Sequence, residues 1–510
     1  MSQLVALPVL LPLLAAALTL VARQLPAVQR VLGVAVLVTT TTVAAVLLVA
    51  ADRGGPVVLR VGGYPPPWGI VLVADRLSAL LLLVSTGVML AVLLYAIGQR
   101  ITDFGRATTS TAFHPMYLVL CAGVSLAYLT GDLFNLFVAF EVMLSASYVL
   151  ITRRSTGPRI RAGMTYVIVS LTSSLLFISM VALVYAATGT VNLADLSAKV
   201  AELSSGARTG LGLLVVVVFG IKSALVPLHF WLPDSYPTAP APITAVFAGL
   251  LTKVGMYALI RTQTLVFPGD TGSVFLLVVA LATMLIGVLG AIAQNDLNRL
   301  LSFLLVSHIG FMLFGLALYT VAGLTGVILY IVHHIVVQAA LFLVSGLVTR
   351  HSGTVSVCDM SGLARAYPLV AALFAVPALS LAGIPPFSGF VAKITLLQAG
   401  TQVATATAYL VTAGAVLTSL LTLYVMAKVW VGVFWGRSFT PRPDPDPHDD
   451  LQVGTGATAL PMVLATGALV AAGVAVAVLA GPLADLGERA ATDLLDRGAY
   501  RTAVLGAGGE

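Results

Sequence analysis

The chain has 510 residues, of which 59% are apolar and only 9% are charged. A typical soluble domain has roughly a quarter charged residues, and a soluble fold could not bury so much apolar surface. Composition therefore excludes soluble, disordered, collagen-like and disulfide-rich proteins, and it predicts an all-α polytopic membrane protein. The net charge of +6 fits basic loops on the inner side of a membrane. No basic run is interleaved with aromatic residues, so nucleic-acid binding is not expected.

Apolar runs of about 20 residues, the length that crosses a bilayer, recur along the whole chain. They predict about fourteen transmembrane helices, at 4–21, 31–51, 70–97, 113–130, 133–151, 163–188, 210–229, 241–264, 273–293, 299–320, 323–348, 367–399, 404–435 and 457–480.

The loop charges predict the orientation of these helices. Loops assigned to the inside hold thirteen arginines, and loops assigned to the outside hold six basic residues, namely Arg53, Arg60, Arg76, Lys199, Arg208 and Arg261. By the positive-inside rule, both termini lie outside. We expect a multi-pass protein of the bacterial cytoplasmic membrane.

Proline interrupts two of the predicted spans. The seventh contains Pro227, and the twelfth contains Gly383 followed by Pro385 and Pro386. Proline removes a backbone donor, and in lipid such a break persists only where protein or water satisfies the backbone. Because the broken helices are five apart, they predict two inverted five-helix repeats, helices 4–8 and 9–13, around a transport path at the midplane.

These patterns divide the chain into six predicted parts. They are helices 1–3 in residues 1–110, the first repeat in 111–264, the second repeat in 272–436, a Pro/Asp-rich loop in 437–455, the fourteenth helix in 456–480, and a C-terminal tail in 481–510. The weakly amphipathic tail is expected at the membrane surface or against a partner.

Lysines inside the apolar runs are the first candidates for function. The chain has five lysines against twenty-one arginines, and Lys222, Lys253, Lys393 and Lys428 lie in predicted spans. Arginine stays charged, whereas a buried lysine can release its proton. A charge at the bilayer centre costs about 2.5–3.5 kcal/mol on insertion scales, which suggests a function. Lys428 is the exception, because it lies near a helix end and could snorkel to the interface.

One glutamate and three histidines extend this set. Glu141 is the only charged residue of its span, and it is either functional or part of a structural ion pair. His333 and His334 lie in the middle of the eleventh span, and His308 lies in the tenth. They are either structural hydrogen-bonded histidines or a proton relay, since imidazole titrates near neutral pH. His334 is slightly preferred over His333.

The sequence predicts no cofactor and no metal. The histidines lack HxxxH or HExxH spacing, and Cys121 and Cys358 form no CxxC pair. There is no Walker loop and no dinucleotide-binding glycine pattern. A membrane-embedded biosynthetic enzyme would need a metal or nucleophile cluster, so that class is disfavoured.

Three long motifs resemble the antiporter-like subunits of respiratory complex I and of multisubunit Mrp sodium/proton antiporters. They run from Gly131 to Glu141, from Lys222 through Pro227 and His229 to Asp234, and from Leu379 through Pro385 and Pro386 to Lys393. The resemblance covers about residues 1–480. The amino-acid sequence of the first motif is most similar to that of the D-type chains of the Mrp antiporters.

The resemblance implies roles for the matching residues. Glu141 and Lys222 would form an ion pair, Lys253 with His333 and His334 would form a central relay, and Lys393 would be the exit-side group. The supporting residues would be Pro227, His229, Asp234, His308, Pro385 and Pro386. The implied partners are other hydrophobic subunits, including a related antiporter-like subunit, with H⁺ and Na⁺ as the ions and lipid around the bundle.

We therefore predict a proton-conducting subunit of a multisubunit Na⁺/H⁺ antiporter, and not an enzyme. The alternative is a proton-pumping membrane-arm subunit of complex I (NADH:quinone oxidoreductase) or of a related membrane hydrogenase. Partners discriminate between them: small hydrophobic chains in the first case, flavin and iron–sulfur subunits in the second. The identity of the coupled cation stays open, and no acidic cluster in the spans resembles a sodium site.

Overall fold

The computed structural model describes residues 1–99, 112–152, 157–269, 273–436 and 459–506, and of 157–159 the backbone only. The predicted Pro/Asp-rich loop at 437–455 lies outside the described residues. So do several arginines assigned to inner loops, namely Arg100, Arg106, Arg153, Arg154, Arg437 and Arg442.

Within the described ranges the protein is almost entirely helical. The longer helices are α1 (Leu7–Val21), α2 (Pro26–Gly54), α3 (Arg76–Gly98), α4 (Phe113–Leu129), α5 (Leu133–Ile151), α6 (Gly157–Thr188), α8 (Ser205–Ser223), α11 (Thr252–Leu265), α12 (Ser273–Ile292), α13 (Leu297–Leu318), α14 (Val321–Ser352), α16 (Pro368–Ala382), α17 (Ser388–Gln402), α18 (Ala406–Val429), α19 (Leu460–Val478) and α20 (Ala480–Leu495). The shorter ones are α7 (Leu193–Lys199), α9 (Trp231–Ser235), α10 (Ala241–Val246), α15 (Leu363–Ala366) and α21 (Gly498–Leu505). Two π-helical turns, Phe247–Leu251 and Trp430–Phe434, adjoin α11 and α18.

Twelve helices in the described residues are long and apolar enough to cross a membrane, and α4 and α16 are shorter apolar helices. This confirms the predicted all-helical, multi-pass membrane class. The count of fourteen spans and the inverted orientation of the repeats stay predictions. The most enclosed spans are Ala241–Leu265, Leu297–Leu318 and Val321–Ser352, whose most apolar windows are 100%, 94% and 100% buried. These helices form a core that is shielded from lipid.

Both proline-rich segments interrupt helices. α8 ends at Ser223 because Ala224 takes up a left-handed conformation, and helix resumes at α9 beyond Pro227. α16 ends at Ala382, Gly383 is left-handed, and α17 starts at Ser388. A left-handed residue turns its N–H back to the last carbonyls of a helix and stops its propagation. The predicted breaks in the seventh and twelfth spans are therefore present.

The two halves share a backbone pattern that supports the predicted repeat. In the first half, the turn before α5 pairs with the chain after α6; in the second, the turn before α13 pairs with the chain after α14. The four hydrogen bonds are Leu133 N to Val191 O, Leu193 N to Gly131 O, Leu297 N to Val355 O and Val357 N to Asn295 O, at 2.8–2.9 Å. Every residue of the second set follows its counterpart by 164 positions.

An aspartate caps the helix at each of these matched turns. The side chain of Asp132 accepts from Asn135 N, and that of Asp296 accepts from Arg299 N. Burial raises the pKa of both carboxyls, while backbone hydrogen bonds oppose the shift. Matched turns with matched caps are what an internal duplication would produce, although the sequence identity between the halves is weak.

The third predicted span begins later than expected, because its first residues form a strand. The prediction was 70–97, but β2 (Val71–Ala74) pairs antiparallel with β1 (Val57–Arg60). The helix then starts behind a capping box in which Asp75 and Ser78 exchange hydrogen bonds. A short apolar run does not distinguish a buried strand from the start of a helix.

The C-terminal tail packs on its own chain, which the sequence did not indicate. α20 packs against α14, α3 and α11. Arg489 Nε lies 2.9 Å from Asp52 Oδ1, and Asp493 Oδ2 lies 2.6 Å from Arg76 Nη1. The described part of the tail thus covers the ends of α2 and α3, and its expected position at the membrane surface or against a partner stays a prediction.

Candidate functional site

Glu141 and Lys222 are joined through a serine on α6. Ser174 Oγ donates to Glu141 Oε1, and Lys222 Nζ donates to Ser174 Oγ at 3.2 Å. A hydroxyl can donate and accept at once. There is no direct salt bridge between these two described side chains, so the ion pair implied by the resemblance is a serine-bridged pair here. Lys222 Nζ also lies 5.7 Å from the ring centre of Phe140, within range of a cation–π contact.

A narrow cavity adjoins Lys222 and has room for water. Its lining includes Lys222, Ser170, Ser173, Tyr166 and Tyr236. Ser173 Oγ and the Tyr236 hydroxyl are buried and have no hydrogen-bond partner in the described structure. Buried polar atoms of this kind are normally satisfied by ordered water. The lysine therefore borders a small cavity whose accessible lining is apolar, and two of the residues around it carry unpartnered hydroxyl groups.

Lys253 lies at the centre of the bundle and is fully buried. Its Nζ donates to the carbonyl of Ala248 at 2.5 Å. Ala248 belongs to the π-helical turn Phe247–Leu251, and such turns occur frequently at functional sites. Gly255, two residues further along α11, packs against the backbone of Lys222 and Ser223. The helices that carry Lys222 and Lys253 therefore meet closely at this level.

A cluster of histidines occupies the core between Lys253 and the second break. His308 Nδ1 lies 2.6 Å from the Tyr330 hydroxyl, and the rings of His308 and His334 are 5.3 Å apart. His333 Nδ1 lies 2.9 Å from Ser388 Oγ, at the start of α17. All three histidines are fully buried. Both nitrogens of His334, and Nε2 of His308 and of His333, have no partner among the described residues.

Lys393 lies on α17, and its side chain reaches back across the second break to the end of α16. Its Nζ donates to the carbonyls of Leu381 and Ala382 at 2.9 and 3.0 Å. These are the last carbonyls of α16, where the helix dipole favours a positive charge. The ammonium also lies 5.0 Å from the ring centre of Phe311. Lys393 therefore contacts both the end of α16 and the ring of Phe311, which packs against His308.

Five of the six supporting residues lie around the breaks, whereas His308 belongs to the histidine cluster. Pro227, Pro385 and Pro386 are exposed, and His229 is half-buried. Asp234 is also exposed, and its Oδ1 accepts from Arg299 Nη2 at 2.8 Å. These residues shape or border the breaks and are not buried among the lysines and histidines.

Lys428 behaves as a helix-end residue. Its Nζ donates to the carbonyls of Ile292 and Gln294 at 2.9 and 2.8 Å, just beyond the end of α12. This geometry agrees with the expectation that Lys428 lies near the end of its helix and away from the candidate path.

The assignment of Arg261 to an outer loop was wrong. Arg261 lies within α11 and is 5% exposed, and its Nη2 is 2.5 Å from Asp75 Oδ2. The burial is possible because a carboxylate neutralises the guanidinium. A signal was present in the sequence, since Arg261 falls inside the predicted span 241–264. Ser174, Tyr330 and Ser388 were also missed, because a hydroxyl in an apolar run gives no comparable signal.

A polytopic helical bundle with two broken helices, buried lysines and histidines and a half-buried glutamate belongs to the class of secondary ion transporters. Residues 130–422 match the family model described as "NADH:quinone oxidoreductase/Mrp antiporter, TM". The chain belongs to this family, and it is a transporter subunit rather than an enzyme.

Named relatives and solved structures support the antiporter branch of the family. The chain is 40% identical over 510 residues to the D chain of the Na(+)/H(+) antiporter of Alkalihalophilus pseudofirmus, covering 99% of this chain and 100% of the relative. A chain of the Mrp complex from Dietzia sp. is 36% identical with a TM-score of 0.91, covering 99% of this chain and 100% of that one. A chain of respiratory complex I from Thermus thermophilus is 25% identical with a TM-score of 0.78, covering 96% and 99%. The resemblance to the D-type chains of the Mrp antiporters is confirmed.

Proposed function

We propose that this chain conducts protons as one subunit of a multisubunit Na⁺/H⁺ antiporter in a bacterial cytoplasmic membrane, with both termini outside. The names of its relatives support the antiport function. The observation that carries the proposal is the series of ionisable groups through the core, from Glu141 and Lys222 through Lys253 and the histidines to Lys393. Polar and ionisable residues at this depth mark ion pathways.

The first step is the control of the Lys222 proton by Glu141. Burial disfavours the ammonium, while a nearby carboxylate favours it. Ser174 transmits the carboxylate's influence through two hydrogen bonds. When the Glu141 side of this bridge weakens, the balance moves towards neutral lysine. The proton then leaves towards the water-sized cavity beside Lys222.

The second step carries the proton across the centre. Lys253 and the three histidines hold donor and acceptor nitrogens in one core, and four of the imidazole nitrogens have no partner within the described ranges. Water can bridge such groups at little entropic cost. His334 takes the central position in the proposal because both of its ring nitrogens are available to such water.

The third step is release through Lys393. Carbonyls at the end of α16 hold its ammonium, and Ser388 connects the same break to His333. A proton that arrives from the histidines would be stabilised on Lys393 before it leaves. Apart from Glu141, the path is lined by groups that are cationic when protonated, which disfavours the passage of Na⁺. We propose that the coupled cation crosses elsewhere in the complex.

The function is tested by replacing Lys222 in the assembled complex. In membrane vesicles, Na⁺-driven proton movement should fall at least about tenfold in Lys222→Ala, since a buried charged hydrogen-bond partner contributes about 1.5–3 kcal/mol. A pH-sensitive dye reports the movement, and immunoblotting reports the amount of complex.

Lys199→Ala is the matched control, because Lys199 is exposed and pairs only loosely with Glu202, at 3.7 Å. Wild-type transport in a fully assembled Lys222→Ala complex would contradict the proposal.

A further inference from the structure

Asp75 and Arg261 form a buried ion pair that the proposed path does not use. Their side chains are 9% and 7% exposed, and Arg261 Nη2 lies 2.5 Å from Asp75 Oδ2. Asp75 caps α3, while Arg261 belongs to α11, so the pair joins elements that are 186 residues apart. Removing one partner from a buried pair leaves an uncompensated charge, which the low-dielectric interior does not screen well.

Two tyrosines enclose this pair. The guanidinium carbon of Arg261 lies 5.5 Å from the ring centre of Tyr257 and 5.2 Å from that of Tyr500. Tyr500 comes from α21 and is buried. The Tyr257 hydroxyl donates to the Tyr128 carbonyl at 2.7 Å. The C-terminal tail thus helps to shield the pair from water, and shielding lengthens the range of its electrostatic effect.

Lys253, Tyr257 and Arg261 follow one another at intervals of four residues on α11. Residues at this spacing share one face of a helix. At 1.5 Å per residue, the backbone positions of Lys253 and Arg261 are about 12 Å apart. Two unit charges separated by a similar distance would change a proton-binding constant by about tenfold at an effective dielectric constant of about 20.

We propose that the Asp75–Arg261 pair sets the proton affinity of Lys253 electrostatically. Asp75 neutralises Arg261, so that Lys253 can take up a proton without repulsion along α11. Both are positioning residues, which act through Lys253 and do not carry the proton. This inference rests on the proposed role of Lys253 in the path.

The other titratable groups near Lys253 and near the Asp75–Arg261 pair are the same residues in every variant of the test. His308 and His334 face Lys253, and the backbone of Lys222 packs against Gly255 on the same helix. Tyr257 and Tyr500 surround the pair, and Asp132 lies near Tyr500. A change between variants at Asp75 and Arg261 therefore reports the pair itself.

The test is the pH dependence of antiport in vesicles that contain the whole complex. Asp75→Asn leaves Arg261 unpaired, so Lys253 holds its proton less tightly and the pH profile should move about one unit towards acid. Arg261→Gln leaves Asp75 unpaired and should move the profile towards alkaline pH. Arg261→Lys, which keeps the charge, should retain the wild-type profile, and the double variant Asp75→Asn/Arg261→Gln should return close to it.

Opposite shifts that cancel in the double variant are not expected from a purely structural role. Glu202→Gln, at an exposed pair, is the control that should leave the profile unchanged. If Asp75→Asn fails to assemble, the direction of the pH shift in Arg261→Gln alone tests the inference. Absent shifts, or shifts in one direction for both single variants, would overturn the inference. Lys253→Ala tests the proposed function separately: normal transport in that variant would remove Lys253 from the path, whatever the pair does.

Discussion

Ser174 gives the Glu141–Lys222 connection a different character from a direct ion pair. Its hydroxyl stands between the carboxylate and the ammonium and contacts both. A bridged pair is longer and therefore weaker in Coulomb energy. It can also be opened by a small rotation of one side chain, which suits a link that must alternate between states. Ser174 is thus a polar member of the candidate path that the pattern of charged residues did not reveal.

We predict that Ser174→Ala slows antiport by at least about 100-fold, because two hydrogen bonds to charged groups are lost at a site where each contributes about 1.5–3 kcal/mol. Transport in vesicles at constant complex content measures the effect. Ser179→Ala is the control on the same helix, since Ser179 is exposed and bonds only to the Leu175 carbonyl. Equal rates in the two variants would show that the bridge is dispensable.

Each broken helix positions a lysine beside its break. Lys222 occupies the last turn of α8, and Lys393 reaches back from α17 to the end of α16. An interrupted helix leaves free some backbone carbonyls that a continuous helix would use for its own hydrogen bonds. The break in the second half is also closely packed, because Gly389 lies against Ser380 and against the ring of His333. The shape of the break and the position of the histidine therefore depend on each other.

We predict that Gly389→Ala disrupts this region. A methyl group there would overlap the carbonyl oxygen of Ser380 and lie 2.9 Å from His333. Overpacking of this kind costs about 1–3 kcal/mol, so lower thermal stability and reduced transport should occur together. Gly467→Ala on α19 is the control, because nothing lies within 4 Å of its added methyl group. Unchanged stability and transport in Gly389→Ala would show that the break tolerates movement.

At the scale of the whole molecule, two halves with matched turns enclose the ionisable core, and the C-terminal tail covers one end of it. The tail bonds to α2 and α3 through Asp52 and Arg76 and places Tyr500 over Arg261. Many apolar side chains remain exposed on the outer helices, including Leu175 and Leu420. This apolar surface is expected to contact lipid and further membrane subunits.

We predict that gentle affinity purification from native membranes will recover small hydrophobic subunits together with a second antiporter-like chain. Mass spectrometry of every co-purifying chain makes the measurement, and an unrelated tagged membrane protein controls for carry-over. Stoichiometric recovery of flavin and iron–sulfur subunits would instead favour the complex I or hydrogenase alternative. The same proton residues would then work with a different source of energy.

The sequence by itself determined the membrane class, the two breaks and the buried lysines. The reason is that a chain in a bilayer shows these features in short stretches of sequence. An apolar run, or a proline or charge within it, can be recognised without knowing which residues it contacts in the fold. The six predicted path residues were all recognisable on this basis, with the family motifs naming their expected roles. Five of them are buried in the structure, and Glu141 is half-buried.

The tertiary structure alone decided which groups meet. Asp75 with Arg261, Ser174 with Lys222, and Tyr500 with Arg261 are far apart in the chain and share no local pattern. The strand that replaced the start of a predicted span was also decided by pairing, because β2 forms against β1, a partner that the apolar pattern does not reveal. Such contacts depend on how helices pack and where the chain returns, and residue order does not encode them locally.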